Sequence, residues 1–536
     1  MIRNAALGKL LAVISLLVLV SDASTAAEIT LRMKGGGFEI KGKLRAFDGE
    51  SYIIKSPELG LLEINSGRFE CIGDGCPSAD GRLPGAPQQA ITDRSVSGST
   101  PSLGQATFVG GSAIGTQFMP ELITSYAANR GLSVEKSVGQ DDRDLVFTLT
   151  GSNGSETGRV TIMRHGVPAG LDALLDDQAD LVWASRPIND QEAGRFAAQG
   201  FNMRAAGNEH VFGLDALVIL VNRENSLISL SLDRIAQIFA GEITDWAELG
   251  QPPGRINVYA PISGMGTWTT FNDTLLKPRG LTVAGEVKRL PTAVEWSDAV
   301  AADESGIGIT MMAYVRNAKA LNVEQSCGLT SRPSVFSAKT EEFPLARRLY
   351  FYTKGRPRSQ LARELLAFAM SPKSQEALKN AQFVDQAPEL LPFREQAGRI
   401  AYALNAQDED FRLEPMRSLI SEISQASRLS TTFRFALGSA FLDSKAQEDV
   451  VRLARELKKP SYRDRKVMLI GFADSAGNYN VNQNVSKARA ETVAQALNKA
   501  GFNKAEAKAY GELAPVACND TPAGQYLNRR VEVWVK

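Results

Sequence analysis

The sequence predicts a multidomain chain of mixed α/β and α+β class that opens with a small all-β module. Three observations carry this. The chain has 536 residues, 43% of them apolar, which suits about three or four folded domains. The hydrophobic period changes twice: short alternating strands up to Pro77, buried strands and helix patterns to about Leu391, then a last strand–helix unit. Between the first two regimes, Ser78 to Gly104 is rich in Pro, Ser, Gly and Gln and reads as a linker.

Composition narrows the function. Sixty basic residues balance sixty acidic ones, so nothing in the net charge points to nucleic acid. Two histidines and four scattered cysteines offer no zinc spacing, and no metal or other cofactor is expected. No Gly-x-Ser-x-Gly elbow is present and neither His165 nor His210 has a recognisable nucleophile partner, which leaves a hydrolase unsupported. The expectation is a non-enzymatic protein.

Arg3 and Lys9 precede the run Leu10 to Val20, and small residues follow at Ala23 to Ala27. This pattern predicts a secretory signal over residues 1–27. The run is too short for a bilayer, which takes about 20 apolar residues. No cysteine at the cleavage region offers a lipid anchor.

Residues 28–77 read as short strands. Ile29 to Met33 and Phe38 to Leu44 alternate, Gly35-Gly36-Gly37 breaks the run, and Asp48-Gly49-Glu50 suggests a hairpin turn before Tyr52-Ile53-Ile54. The prediction is a small, bent, barrel-like module, low in core, with Cys71 and Cys76 closing a short disulfide loop.

From 105 to 391 the pattern is α/β. Phe108-Val109-Gly110-Gly111-Ser112 is a strand entering a Gly loop, with a helix around Met119 to Ala128. Leu181 to Ala184 and Ala216 to Val221 are strands, and Ser231 can cap a helix bearing Leu232, Ile235, Ile238 and Phe239. A further strand, Ile256 to Tyr259, ends in Pro261 to Thr267 before a helix. Strand, Gly-rich loop and helix present backbone N–H groups and a positive dipole end to an anion.

These residues carry a resemblance. Ala184-Ser185-Arg186-Pro187, the segment Ile238-Phe239-Ala240-Gly241-Glu242-Ile243-Thr244-Asp245-Trp246, Gly264-Met265-Gly266-Thr267, Gly306 to Ile309 and Arg348 to Tyr352 occur in an order similar to the periplasmic phosphate-binding proteins of ABC importers. The resemblance implies two α/β lobes joined by crossover strands, with a small anionic solute, phosphate or a relative, in the cleft. It implies ligand roles for Ser112, Arg164, Ser185, Arg186, Gly264, Gly266 and Thr267. Departures bear on the ligand: Ile114 and Met265 replace hydroxyl donors, and Pro261 stands where the family has a clamping Arg. Arg164, before His165-Gly166-Val167, is placed to restore that charge.

Residues 392–430 show a charged helical pattern with Met416, Leu419, Ile420 and Ile423 on one stripe, expected as a spacer helix. In the last domain, 431–536, Val467 to Ile470 reads as a buried strand ending in Gly471-Phe472-Ala473-Asp474-Ser475-Ala476-Gly477. A helix pattern follows from Ser486, placing Arg489 in its first turn. Asp474 and Arg489 can form a structural ion pair, or together hold a zwitterion. With Asn482 to Ala490 and the closing Asn528-Arg529-Arg530-Val531-Glu532, the segment resembles the peptidoglycan-binding domain of the OmpA family. The resemblance implies that Asp474 and Arg489, with Asn482, Asn528 and Arg529 at matching positions, bind the diaminopimelate of the cell wall. Cys327 and Cys518 lie in different domains; a bond and two free thiols both remain open.

The function expected is that of a periplasmic solute-binding protein tethered to peptidoglycan, serving an ABC importer or a sensor, with association to the outer membrane left open. The alternative is a structural envelope protein whose binding domain has lost its ligand.

Overall fold

The structure is a computed structural model and describes residues 28–33, 39–47, 51–57, 60–65, 69–76, 102–405 and 412–536. The signal expected at 1–27, the Gly35-Gly36-Gly37 break, the turn at Asp48-Gly49-Glu50 and nearly all of the linker lie outside these residues. Two compact units, 1–97 and 98–536, divide the chain. Among the described residues no helix is long and apolar enough to cross a membrane.

The first unit holds five antiparallel strands, Glu28–Met33, Glu39–Phe47, Ser51–Ser56, Gly60–Asn65 and Phe69–Ile72. The first four form a meander and the fifth returns beside the first. Alternation puts Ile29, Leu31, Ile40 and Ile54 in one small core, while Glu28 and Arg32 face outward. Cys71 and Cys76 are joined by a disulfide at the end of the fifth strand.

The second unit begins with a two-lobed α/β body. Its strands run, in spatial order, Lys288–Leu290, Asn257–Pro261, Gly306–Met311, Glu209–Val221, Ala346–Tyr352, Leu181–Ala184, Gly104–Gly110, Glu156–Met163, Asp144–Thr150 and Ser133–Val138. Glu209–Val221 belongs to both lobes. Its first half pairs with Ala346–Tyr352 and its second half, Leu217 to Val221, with Gly306–Met311. This strand carries the chain into the second lobe, and Ala346–Tyr352 carries it back. Almost every residue of the outgoing strand is buried, because both faces are covered. Phe118 stacks on Phe212 at 4.8 Å, and Phe212 on Phe351 at 4.1 Å, which fixes the first long helix, Ser112–Arg130, to both crossover strands.

The C-terminal part of the unit is an α+β layer. Its sheet runs Leu390–Pro392, Ser427–Arg434, Arg530–Val535, Val467–Phe472 and Ala505–Ala509. Val467 and Leu469 face helices Ser444–Leu457 and Tyr479–Lys499, packing with Leu453, Val493 and Leu497. Met468 and Ile470 face the opposite way, onto Met416, Leu419 and Ile423 of the helix Leu413–Ile423. The segment expected as a spacer is therefore packed on the sheet: Leu390–Pro392 is its edge strand, and Leu413–Ile423 and Ala397–Asn405 cover its second face.

The two parts of this unit share a polar, buried junction. Arg348 donates to Asp443 (2.7 Å) and pairs with Glu341. Glu209 accepts from the hydroxyls of Ser444 (2.5 Å) and Tyr352 (3.0 Å). The guanidinium of Arg428, fully buried, pairs with Glu342 at 2.5 Å. Cys327 and Cys518, 191 residues apart, are joined by a disulfide. The question left open by the sequence is thus resolved in favour of a bond.

Candidate functional site

Two places gather the residues that the sequence singled out. The first lies in the C-terminal part. The strand Val467–Phe472 ends in a loop, and Asn478 caps the following helix by accepting from the backbone N–H of Val481 at 3.0 Å. That cap starts the helix at Tyr479 rather than Ser486, so Arg489 sits in its third turn and not its first. Helix and strand touch at Gly471, where a methyl group would lie 2.0 Å from the carbonyl oxygen of Ser486. Only glycine permits this approach, which brings Arg489 under the strand's end.

There Asp474, Arg489 and Arg529 come together, all buried. Asp474 Oδ2 accepts from Arg529 Nη1 at 2.6 Å. Arg489 instead donates to the carbonyl oxygens of Ser439 (3.1 Å) and Phe472 (3.3 Å) and forms no ion pair with a carboxylate of the described residues. Burial pulls its pKa down to about 10; attraction to Asp474 opposes this and repulsion from Arg529 adds to it. Two guanidiniums against one carboxylate leave the site with an excess positive charge. Asn528 accepts from the N–H groups of Val516 and Ala517 and donates to Asn519 Oδ1, which in turn accepts from Ser475 N–H. It thereby steadies the Asp474 loop. Asn482 donates to Glu512. The sequence reading missed the loop carrying Ser439, which covers Arg489; Leu437 and Phe441, flanking it, are 73% and 88% exposed.

The second place is the cleft between the lobes. Ser112 opens the helix Ser112–Arg130 and is exposed. Arg164 lies over that helix's first turns, bonded to Thr116 Oγ1 (3.2 Å) and to the carbonyl oxygens of Arg143 (2.6 Å) and Asp142 (2.7 Å). His165 Nε2 stands 2.8 Å from Asp144 Oδ1. Ser185 follows the strand Leu181–Ala184 and faces the other lobe: a methyl on Gly266 would lie 3.3 Å from its Oγ. Gly264 has φ of 88°, the left-handed turn that starts the loop into the short helix Gly266–Phe271, and Thr267 is buried within it. Arg186 is held in a two-pronged pair with Glu192, at 2.8 and 2.6 Å. The lobes meet where Gln117 Nε2 donates to the Tyr314 hydroxyl at 2.6 Å. On the paired crossover positions, Arg347 binds Asp215 (2.6 Å) and reaches Thr270 Oγ1 (3.0 Å) of the second lobe.

Arg289 was not foreseen. Its Nη1 donates to the Pro261 carbonyl oxygen at 2.7 Å and its guanidinium lies 3.8 Å over the Trp268 ring. Burial pulls its pKa down, and none of the described carboxylates pairs with it. A guanidinium without a counter-ion therefore stands beside the loop whose expected Arg is Pro261. Its register beside Ala260 could have flagged it only once the edge strand was known.

Two family models match this chain, one in each part of the second unit. Residues 156–373 match the model of a PBP superfamily domain, and residues 434–529 match the OmpA family. The phosphate-binding protein PstS of Staphylococcus haemolyticus is 24% identical over 223 residues, which are 40% of this chain and 67% of that protein. The chain spans 59% to 67% of the length of such curated relatives. An ABC-type phosphate transport receptor from Vibrio cholerae aligns over 52% of this chain and 99% of its own, at 17% identity and a TM-score of 0.41. The peptidoglycan-associated lipoprotein from Burkholderia pseudomallei aligns over 20% of this chain and 89% of its own, at 27% identity and a TM-score of 0.19.

Proposed function

We propose that this chain, a phosphate-binding-protein-like domain joined to an OmpA-family domain, is an exported, non-enzymatic solute-binding protein held at the cell wall. The wall half of the reading rests on one observation: Arg489 is a buried guanidinium that pairs with no carboxylate of the described residues, in a site with excess positive charge. A carboxylate is the natural complement, because it would supply the missing charge and accept two N–H bonds in one plane. Asp474, whose second oxygen is engaged among the described residues only by a long 3.4 Å contact from Ala476 N–H, is left to receive an ammonium. A residue with both groups on one carbon, as in diaminopimelate, fits that pair.

The solute half rests on Arg164 and Arg289, which bring positive charge to loops that also offer Ser112, Ser185 and the N–H groups near Gly264 and Gly266. An oxyanion is the class this favours, delivered to an ABC importer or read by a sensor. The periplasm follows from the signal pattern and from peptidoglycan as the partner.

Co-sedimentation with purified peptidoglycan tests the first half. Wild type should pellet, Asp474→Ala and Arg489→Ala should stay in the supernatant, and pelleting of both variants would end the assignment. Calorimetry with phosphate and other oxyanions tests the second half, and silence with all of them would end it. Ile114, Pro261 and Met265, together with the neutralisation of Arg186 by Glu192, favour the second reading, a structural envelope protein whose cleft no longer serves a solute.

A further inference from the structure

The loop that carries Asp474 hangs on one stretch of chain, residues 511–520. Ala473, just before Asp474, donates its N–H to the Gly511 carbonyl oxygen at 2.7 Å. Ser475, just after it, donates to Asn519 Oδ1 at 3.3 Å. Asn528 grips the same stretch through the Ala517 carbonyl oxygen (2.6 Å) and Asn519 Oδ1 (2.9 Å), and its neighbour Arg529 binds Asp474. Whatever holds residues 511–520 therefore places Asp474.

The other side of that stretch is held by the second lobe. A turn there is closed by the Gly328 N–H on the Gln325 carbonyl oxygen at 2.9 Å. Gln325 Oε1 accepts from Cys518 N–H at 2.9 Å, Cys327 N–H donates to Cys518 Sγ at 3.1 Å, and the Ser326 hydroxyl bonds the Asp520 carboxylate. The disulfide Cys327–Cys518 makes the tie covalent. Ala514, buried in the same stretch, has φ of 51°, a left-handed conformation that a non-glycine residue keeps only where its surroundings impose it. A stretch under such constraint relaxes when a tie is cut. Cys518 is 5% exposed, but Cys327 sits exposed in its turn, and an exposed disulfide is open to thiol exchange.

We propose that the Cys327–Cys518 bond is a redox-sensitive hold on the wall site, with Gln325 as a positioning residue: intact, it fixes Asp474 for binding, and reduced, it lets go. A dithiol supplies the two electrons. Its thiolate attacks the Cys327 sulfur, the S–S bond breaks, and Cys518 leaves as a thiolate that takes up a proton. The second thiol of the reductant then displaces Cys327, also as a thiol, and the dithiol ends as its own disulfide. The inference rests on the wall-binding reading of Asp474 and Arg489 and adds its regulation by the second lobe.

Co-sedimentation of the full chain over a range of peptidoglycan amounts, with and without dithiothreitol, tests this. The Cys71→Ser/Cys76→Ser variant leaves Cys327–Cys518 as the bond to cut. It should bind as wild type when oxidised and about tenfold more weakly when reduced, a size usual for coupling between sites, with its circular dichroism unchanged. Reoxidation should restore the affinity. The Cys327→Ser/Cys518→Ser variant should bind weakly in both conditions. Gln325→Ala, with the bond intact, should weaken binding in the same direction, and Gln325→Glu, which keeps the acceptor for Cys518 N–H, should recover most of it. Equal affinity of the oxidised and reduced protein would overturn the inference and leave the wall-binding reading standing, as would a loss that reoxidation does not restore. Failure of the oxidised wild type to pellet would overturn both.

Discussion

Asp474 is bound by Arg529, at 2.6 Å, and Arg489 is left to backbone carbonyls. The two arginines therefore have different work. Arg529→Met strands a buried carboxylate and should cost about 3 kcal/mol of stability in urea unfolding, partly relieved by the neighbouring Arg489. Arg489→Met removes a buried cation that has no ion-pair partner among the described residues. It should leave stability within about 1 kcal/mol of wild type while abolishing co-sedimentation with peptidoglycan.

The Cys327–Cys518 bond ties the second lobe to the loop that Asn528 holds. The Cys327→Ser/Cys518→Ser double variant should lose about 2–4 kcal/mol. In scanning calorimetry the C-terminal part should then melt ahead of the α/β body. A single unshifted transition would show that the buried ion pairs suffice.

The junction should also be acid-labile. Burial opposes ionisation of Glu341, but Arg348, Lys445 and Arg434 outweigh it and hold its pKa at about 2, below the ordinary 4.5. A carboxyl lowered in the folded state contributes stability above its unfolded pKa and loses it as pH falls through the folded value. That contribution, about 3 kcal/mol, should be full above pH 5 and vanish progressively between about pH 4.5 and 2. Glu342 and Asp449 are lowered too and lose stability in the same direction. Urea midpoints measured across this range check it, and Glu341→Gln should flatten the dependence.

Arg289 carries the prediction for the cleft. Arg289→Ala should weaken oxyanion binding by about tenfold or more, since a charge-assisted bond is worth about 1.5–3 kcal/mol. Arg289→Lys should recover only part, because a lysine cannot both stack on Trp268 and fork toward the ligand. Calorimetry with phosphate and sulfate measures both variants.

Several of these elements were legible in the residues themselves. The run Val467 to Ile470 is a strand because β-rich apolar residues follow one another without a polar break, and Ser231 caps its helix as its hydroxyl requires. The stripe Met416, Leu419, Ile420 and Ile423 announced a helix with one apolar face. What it faces was not legible: an apolar stripe records that something covers it, not which sheet. The same holds for the helix start at Tyr479, where Asn478 was an available cap hidden in a polar stretch.

The sequence by itself determined the order of the parts, the two-lobed α/β body, the OmpA-family domain and the residues gathered at its loop. Local period, turn chemistry and ordered motifs are properties of neighbouring residues, and a chain carries them wherever it folds. The tertiary structure decided the pairings. It chose Arg529 over Arg489 for Asp474, joined Cys327 to Cys518 and set Arg289 beside Pro261. Each of these depends on distances between segments far apart in the chain, and such distances are fixed only when strand register and the buried junction bring those segments together.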